Sequence, residues 1–269
     1  MTHAANSMTY DFFARTDRGR VRNNNEDAVA VDRETQVVIL ADGMGGYNAG
    51  EVASGMATTF IRTELARWLA EAAHNAQPTE IRRALEICVE NANHAILGAS
   101  LSNPQYAGMG TTLVVGVLQG DRLILGHIGD SRCYRLRDGV LQQITRDHSW
   151  LQEQVDAGFL TPQQAATSSN RNLVTRALGV EPHVQMEVNE FQVAPNDLFL
   201  LCSDGLTDMV SDADLADMLQ TPLSLEEKGT LLIDTANTQG GRDNISVILV
   251  QAAAGGKKRG LMSRLLRTA

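Results

Sequence analysis

Short β-branched apolar runs bounded by polar turns occur in blocks, and two pairs of helical stretches separate the blocks. That order constrains the fold of this 269-residue chain more than any other property. Strand runs at residues 10–15, 28–32 and 36–41 come first. A helix follows at 52–73, with Met56, Phe60, Leu65, Trp68 and Leu69 at helical spacing. A second helix is expected to start from Thr79 as its cap, with Ile81, Leu85, Cys88, Val89, Ala92 and Ile96 on one face. Cys88 on that stripe reads as packed core.

Four closely spaced strands are expected next, at 111–118, 123–129, 131–137 and 140–144, and their short turns suggest an antiparallel meander. An insert spans about 148–183, in which Thr161-Pro162-Gln163-Gln164 has the form of a capping box with proline at the first helical position. Strands return at 184–193 and 197–203. Helices at 212–219, capped by Ser211, and 225–237 precede a last strand at 245–251. Two antiparallel sheets packed as a central sandwich, each covered by a pair of helices, satisfy this order. The fold class expected is α+β in four layers, αββα. A stub at 1–7, one domain at 8–252 and a tail at 253–269 complete the expected organisation.

At 43% hydrophobic residues the chain can build a full core. Its net charge of −9 argues against general nucleic-acid binding, since a phosphate backbone would be repelled. The charge is uneven, because the tail carries Lys257, Lys258, Arg259, Arg264 and Arg267 and no acid. With Leu261, Met262, Leu265 and Leu266 the tail could form an amphipathic helix on an acidic membrane or partner; a disordered solubilising end is the other reading. Cys88, Cys133 and Cys202 have no zinc-ligand spacing, and a sparse odd set suits a reducing compartment. Residues 1–18 lack the pattern of a signal peptide, and no apolar run is long enough for a membrane span. A cytoplasmic monomer is expected.

Chemistry is concentrated in aspartates at strand ends. The run 37–41 ends in Asp42-Gly43, the run 198–203 in Asp204-Gly205, and the run 123–129 in Asp130, while Asp243-Asn244 opens the last strand. One Asp-Gly step is usually just a turn. Four aspartates tied to apolar strands can also converge at one rim, where they would repel one another unless a hard divalent cation offset their charge. On the residues alone both readings stand. The glycines Gly45 and Gly50 are spaced as in a phosphate-binding loop, but Glu51 stands where its lysine should be. Gly129-Asp130-Ser131-Arg132-Cys133 fails the serine-nucleophile elbow at its last position. No cysteine has an arginine six positions on; those positions hold His94, Gly139 and Asp208. His127 and His148 read as structural, His127 because it lies within an apolar strand.

Six stretches taken together resemble the metal-dependent serine/threonine protein phosphatases of the PPM, or type 2C, family in its compact bacterial form. They are Arg18-Gly19-Arg20-Val21-Arg22 with Asn25-Glu26-Asp27; Ala41-Asp42-Gly43-Met44-Gly45-Gly46; and Gly108-Met109-Gly110-Thr111-Thr112. The others are His127-Ile128-Gly129-Asp130-Ser131-Arg132, Ser203-Asp204-Gly205-Leu206 and Gly241-Arg242-Asp243-Asn244. The resemblance implies two Mn²⁺ or Mg²⁺ ions at one end of the sandwich, with a third, weaker one. It implies that Asp42 bridges the two ions, that the Gly43 carbonyl ligates one, and that Asp204 and Asp243 ligate the other. It further implies that Glu26 holds metal-bound water, that Asp130 serves the third ion, and that Arg22 grips the substrate phosphate. A water bridging the ions would attack phosphorus in line, without a phospho-enzyme. Many eukaryotic relatives have histidine at the Met44 position as general acid, a role methionine cannot fill.

The substrates implied are phosphorylated proteins, including a serine/threonine kinase. The insert resembles the family's flap, and Ser168, Ser169, Asn170, Arg171 and Asn172 are its expected substrate-selecting segment. Alternatives are a regulator acting on an anti-sigma antagonist, which the presence of Arg22 disfavours, and an inactive phosphopeptide-binding scaffold, which the retained aspartates disfavour. A two-metal phosphodiesterase is disfavoured by the acidic body.

Overall fold

The computed structural model describes residues 8–45, 49–72, 76–166, 168 and 173–255. The chain begins with strands β1 (Met8–Asp17), β2 (Asp27–Asp32) and β3 (Val37–Met44), then helices α1 (Ala49–Glu71) and α2 (Pro78–Ser102). Strands β4 (Gly110–Thr111), β5 (Leu113–Gln119), β6 (Arg122–Ile128), β7 (Arg132–Arg137) and β8 (Val140–Gln143) follow. The insert contains short helices α3 (Trp150–Asp156) and α4 (Pro162–Ala166). The chain continues through β9 (Glu187–Gln192), β10 (Leu198–Cys202), α5 (Asp204–Thr207), α6 (Asp212–Gln220), α7 (Leu225–Thr238) and β11 (Ile245–Ala254).

One sheet has the order β1-β11-β10-β7-β8, and the other β2-β3-β5-β6-β9 with β4 against β3. Every strand pairing is antiparallel. The expected sandwich is therefore present, but the expected meander is not. β5 and β6 pair in one sheet, β7 and β8 in the other, and the chain crosses between sheets at Gly129-Asp130-Ser131. Long-range partners decide this: β6 takes β9 as its other neighbour and β7 takes β10.

Strand alternation feeds three cores, because both faces of each sheet are covered. Val38, Leu40, Val114 and Leu125 meet Phe12, Cys133, Phe199, Leu201 and Ile248 between the sheets. Ile39, Ala41, Val115 and Val117 face the other way, onto Ala53, Ala57, Ile61 and Leu65 of α1 and Ile81, Leu85 and Ile96 of α2. On the opposite flank Leu200, Cys202, Val247 and Leu249 pack on Leu215, Leu219, Leu232 and Ile233 of α6 and α7. Cys88 is buried, as expected, and burial pushes its thiol up to about 11.

Helix ends follow local chemistry. Thr79 is not the cap of α2; Pro78 opens that helix and the Gln77 N–H donates to the Glu80 carboxylate at 2.7 Å. Proline one residue before Thr79 moves the boundary, since its fixed φ suits the first helical turn. Ser211 accepts the Asp214 N–H at 3.2 Å, and Thr161 and Gln164 form the predicted box at 2.8 and 3.2 Å. β11 runs on to Ala254, so the sheet extends past 252, the expected end of the domain. The basic tail residues from Lys257 onward and the stub at 1–7 lie outside the described residues.

Candidate metal centre and active site

β2 and β3 place Asp27 directly opposite Asp42. The Asp42 backbone is held from three directions. Its N–H donates to Thr112 Oγ1 at 3.0 Å, and its carbonyl accepts Thr111 Oγ1 and the Thr112 N–H, both at 2.9 Å. Thr112 in turn shares a 2.8 Å hydrogen bond with Ser131, which follows Asp130 at the crossing between sheets. Gly129 makes that crossing at φ +100°, and a Cβ there would lie 2.7 Å from Thr112 Cγ2. The strand-end turn carrying Asp130 is thus locked to the strand end carrying Asp42.

On the other sheet Asp204 follows β10 as the first residue of α5, and Asp243 stands just before β11. Antiparallel neighbours end and begin at the same edge, so β3, β6 and β10 deliver their last residues where β2 and β11 start. Arg22, Glu26, Asp42, Gly43, Met44, Thr112, Asp130, Asp204 and Asp243 all line one open cavity of about 200 Å³. Val174 of the insert lines it too. Of the predicted selectivity segment, Ser168 is described and is not on the cavity wall; Ser169, Asn170, Arg171 and Asn172 lie outside the described residues, as does Gly46.

The electrostatics are those of crowded acids. Burial raises Asp42 and Asp204 well above the ordinary carboxylate range; Asp27 adds repulsion to Asp42, and Asp130 adds it to Asp204. Burial also pushes Asp27 and Asp130 up to about 6. Arg22 Nη2 meets Asp243 Oδ2 at 2.6 Å, a hydrogen bond that raises the arginine further.

Asn244, which has no assigned role in the sequence, ties the loop that carries Glu26 to the start of β11. Its side-chain oxygen accepts the Glu26 N–H at 2.8 Å, and its amide donates to the carbonyls of Arg18 at 3.0 Å and Asn24 at 2.9 Å. Asp27 is similarly fixed, with Oδ2 accepting Ser203 Oγ at 2.8 Å. The usable signal was an amide residue following an acid immediately before an apolar strand.

This donor set fits hard divalent cations. It is all oxygen: five carboxylates, from Glu26, Asp42, Asp130, Asp204 and Asp243, with the Gly43 backbone on the same wall. Asp27 Oδ1 is buried with no hydrogen-bond partner in the structure. Partly buried carboxylates gathered this near one another call for positive charge that Arg22 alone does not supply.

The model of the family described as protein phosphatase 2C matches residues 17–249 of this chain. The chain belongs to the protein phosphatase 2C family. The serine/threonine phosphatase stp of Listeria monocytogenes serotype 4b is 39% identical over 240 residues, covering 88% of this chain and 94% of the relative. The serine/threonine protein phosphatase PstP of Mycobacterium tuberculosis is 41% identical over 246 residues, covering 90% of this chain and 45% of that longer protein. Among solved structures, the catalytic domain of PstP in complex with two manganese ions superposes with a TM-score of 0.79 at 38% identity, covering 92% of this chain and all of that one. The serine/threonine phosphatase of Staphylococcus aureus superposes with a TM-score of 0.85 at 31% identity, covering 95% and 99%. The protein phosphatase 2C fold thus carries the aspartate cavity built above.

Proposed function

We propose that the aspartate cavity is the catalytic centre, where Asp42, the Gly43 carbonyl, Asp204 and Asp243 would hold two divalent cations, Glu26 would act through water and Asp130 would hold a third. The protein is a metal-dependent serine/threonine protein phosphatase that uses Mn²⁺ or Mg²⁺. The observation that carries the site assignment is the convergence of those acids and Arg22 on one cavity.

When bound, the divalent ions supply Lewis acidity that sharpens a water as nucleophile toward phosphorus. The chain's own residues do the rest. Thr111, Thr112 and Ser131 hold Asp42 in place, and Asn244 holds Glu26, so the ligand set needs little rearrangement. Arg22, about half exposed at the cavity mouth, points its guanidinium into the site. Its planar fork matches two phosphoryl oxygens and offsets charge on them in the transition state. Met44 on the wall offers no proton for the leaving alkoxide.

Substrates are phosphorylated proteins, and a serine/threonine kinase is proposed among them. Residues 168–172 of the insert are proposed to select the phosphopeptide; exchange of this segment with a relative's changes the ranking of several phosphopeptides, and an unchanged ranking rejects the assignment. No helix among the described residues is long and apolar enough to cross a membrane. Cys88, Cys133 and Cys202 are free and buried, which supports a reducing, cytoplasmic setting.

The decisive experiment is phosphate release from a phosphothreonine peptide with Mn²⁺, repeated with EDTA and with Asp204→Asn. Both treatments are expected to abolish turnover. Activity that survives both overturns the reading.

A further inference from the structure

Glu90 and His94 stand one turn apart on α2, and His183 from the end of the insert reaches them. None of the three lines the aspartate cavity. One ligand atom from each lies within 4.8 Å of the other two, and His183 Nδ1 is 3.6 Å from Glu90 Oε1.

Three further observations make this more than a chance surface cluster. First, His94 Nε2 lies 3.0 Å from the Pro182 carbonyl. A carbonyl only accepts, so Nε2 carries the proton and the Nδ1 lone pair is free. A metal-binding imidazole is commonly oriented in this way, by donating its other N–H to a backbone carbonyl.

Second, the limb bearing His183 is already fixed on the helix. Asn93, which is fully buried, donates to the carbonyls of Glu181 at 2.8 Å and Pro182 at 3.3 Å, and accepts the Gly179 N–H at 2.7 Å. A ligand then has only the exposed Glu90 and His183 side chains to order, not the backbone of the limb. Third, the two rings meet edge-on, at 68° with centroids 6.2 Å apart, so lone pairs in their planes can converge on one point.

The other histidine pair differs on this last count. His127 and His148, beside Glu187, are stacked at 16° and 4.6 Å, which sets their lone pairs in parallel planes. His148 Nδ1 is also spent, accepting the Gly129 N–H at 3.1 Å.

We infer that Glu90, His94 and His183 form a separate metal site for a borderline divalent cation of the Zn²⁺ class. Two imidazole nitrogens and one carboxylate suit Zn²⁺, whereas Mg²⁺ and Mn²⁺ favour the all-oxygen cavity. All three residues are exposed, so water completes the coordination shell. A bound ion cross-links α2 to the returning limb of the insert and stabilises the folded chain by mass action.

The test uses the full chain, with Mg²⁺ saturating the aspartate cavity, titrated with Zn²⁺. Long-range ¹H–¹⁵N spectra resolve the imidazoles of a chain with only six histidines. At one equivalent of Zn²⁺ the ring resonances of His94 and His183 are expected to shift to metal-bound positions. His94→Gln and His183→Gln each remove the other's shift and weaken Zn²⁺ binding by at least about tenfold. Glu90→Gln, which touches neither ring contact with Pro182 nor the fold of the limb, weakens binding in the same direction. Zn²⁺ uptake that leaves both rings unmoved, or shifts that appear only at His127 and His148, overturns the inference.

Discussion

Asn244 Oδ1 accepts the backbone N–H of Glu26 at 2.8 Å, joining the start of the last strand to a loop 218 residues earlier. Its amide holds two further carbonyls of that loop, of Arg18 and Asn24. Asn244→Ala leaves these partners unpaired in a part-buried setting, where the cost per group stays within the about 1–3 kcal/mol of a buried one. The variant is expected to lose about 3 kcal/mol in urea unfolding and to need more Mn²⁺ for half-maximal activity. Wild-type values for both would show that the Asn244 bonds do not organise Glu26.

Arg22 is paired with Asp243 at 2.6 Å, so it neutralises the acids as well as facing the substrate. Arg22→Ala is expected to lower kcat/KM on a phosphothreonine peptide by about 10- to 100-fold, the range of a charged hydrogen bond. Arg22→Lys restores the charge but not the fork and recovers only part of the loss. Full recovery by lysine would mean that charge alone matters there.

The aspartates were readable in the sequence because each closes an apolar run: Asp42 after 37–41, Asp204 after 198–203, Asp130 after 123–129. The sandwich was readable from the order of runs. The crossing at Gly129-Asp130-Ser131 was not, since a two- or three-residue gap between strands has the local look of a hairpin turn. What sends β7 to the other sheet is its pairing with β10, some sixty residues on, for example Leu136 opposite Leu198. α5 spans only Asp204–Thr207, too short to show helical periodicity. Asn244 stands in a recognisable stretch, but its role is not legible there, because it acts on the backbones of Glu26, Arg18 and Asn24, which no local pattern marks.

Burial pushes Asp27 and Asp130 up to about 6. Cation binding at such a site must displace protons below that pH. Apparent Mn²⁺ affinity is therefore expected to fall by at least about tenfold between pH 7 and pH 5, measured by Mn²⁺ titration of activity with ionic strength held constant. An affinity flat across that window would show that these acids are ionised before the cation arrives.

His148 is buried against His127 and Arg176, and burial first, then those neighbours, push it down to about 4. A depressed histidine is proton-poor in the folded state, so its cost appears as pH falls from about 6.5 toward 4. His148→Gln removes that cost. Urea unfolding of the two proteins should converge at acid pH relative to pH 7, by up to about 2 kcal/mol after solvent screening. Taking the difference cancels the carboxylates common to both apart from Glu187, which His148 helps hold below the ordinary range and whose own titration adds at the acid end. A difference independent of pH would place the proton elsewhere.

Two glycines of α1 separate close packing from helix propensity. A Cβ at Gly50 would lie 2.8 Å from the Gly43 backbone and 2.9 Å from Glu26 Cδ, whereas one at Gly55 meets nothing within 4 Å. In a helix interior alanine is favoured over glycine by about 0.8–1 kcal/mol. Gly55→Ala should therefore stabilise the protein by roughly that amount, with Mn²⁺ dependence unchanged. Gly50→Ala, in the first turn of α1, carries at most that propensity gain but drives α1 off the strand end that bears Asp42 and Gly43. It is expected to be destabilised and to bind Mn²⁺ more weakly, and its loss appears even though both sites are helical. If the two variants behave alike, the backbone contact between Gly50 and Gly43 does not set the position of the cavity wall.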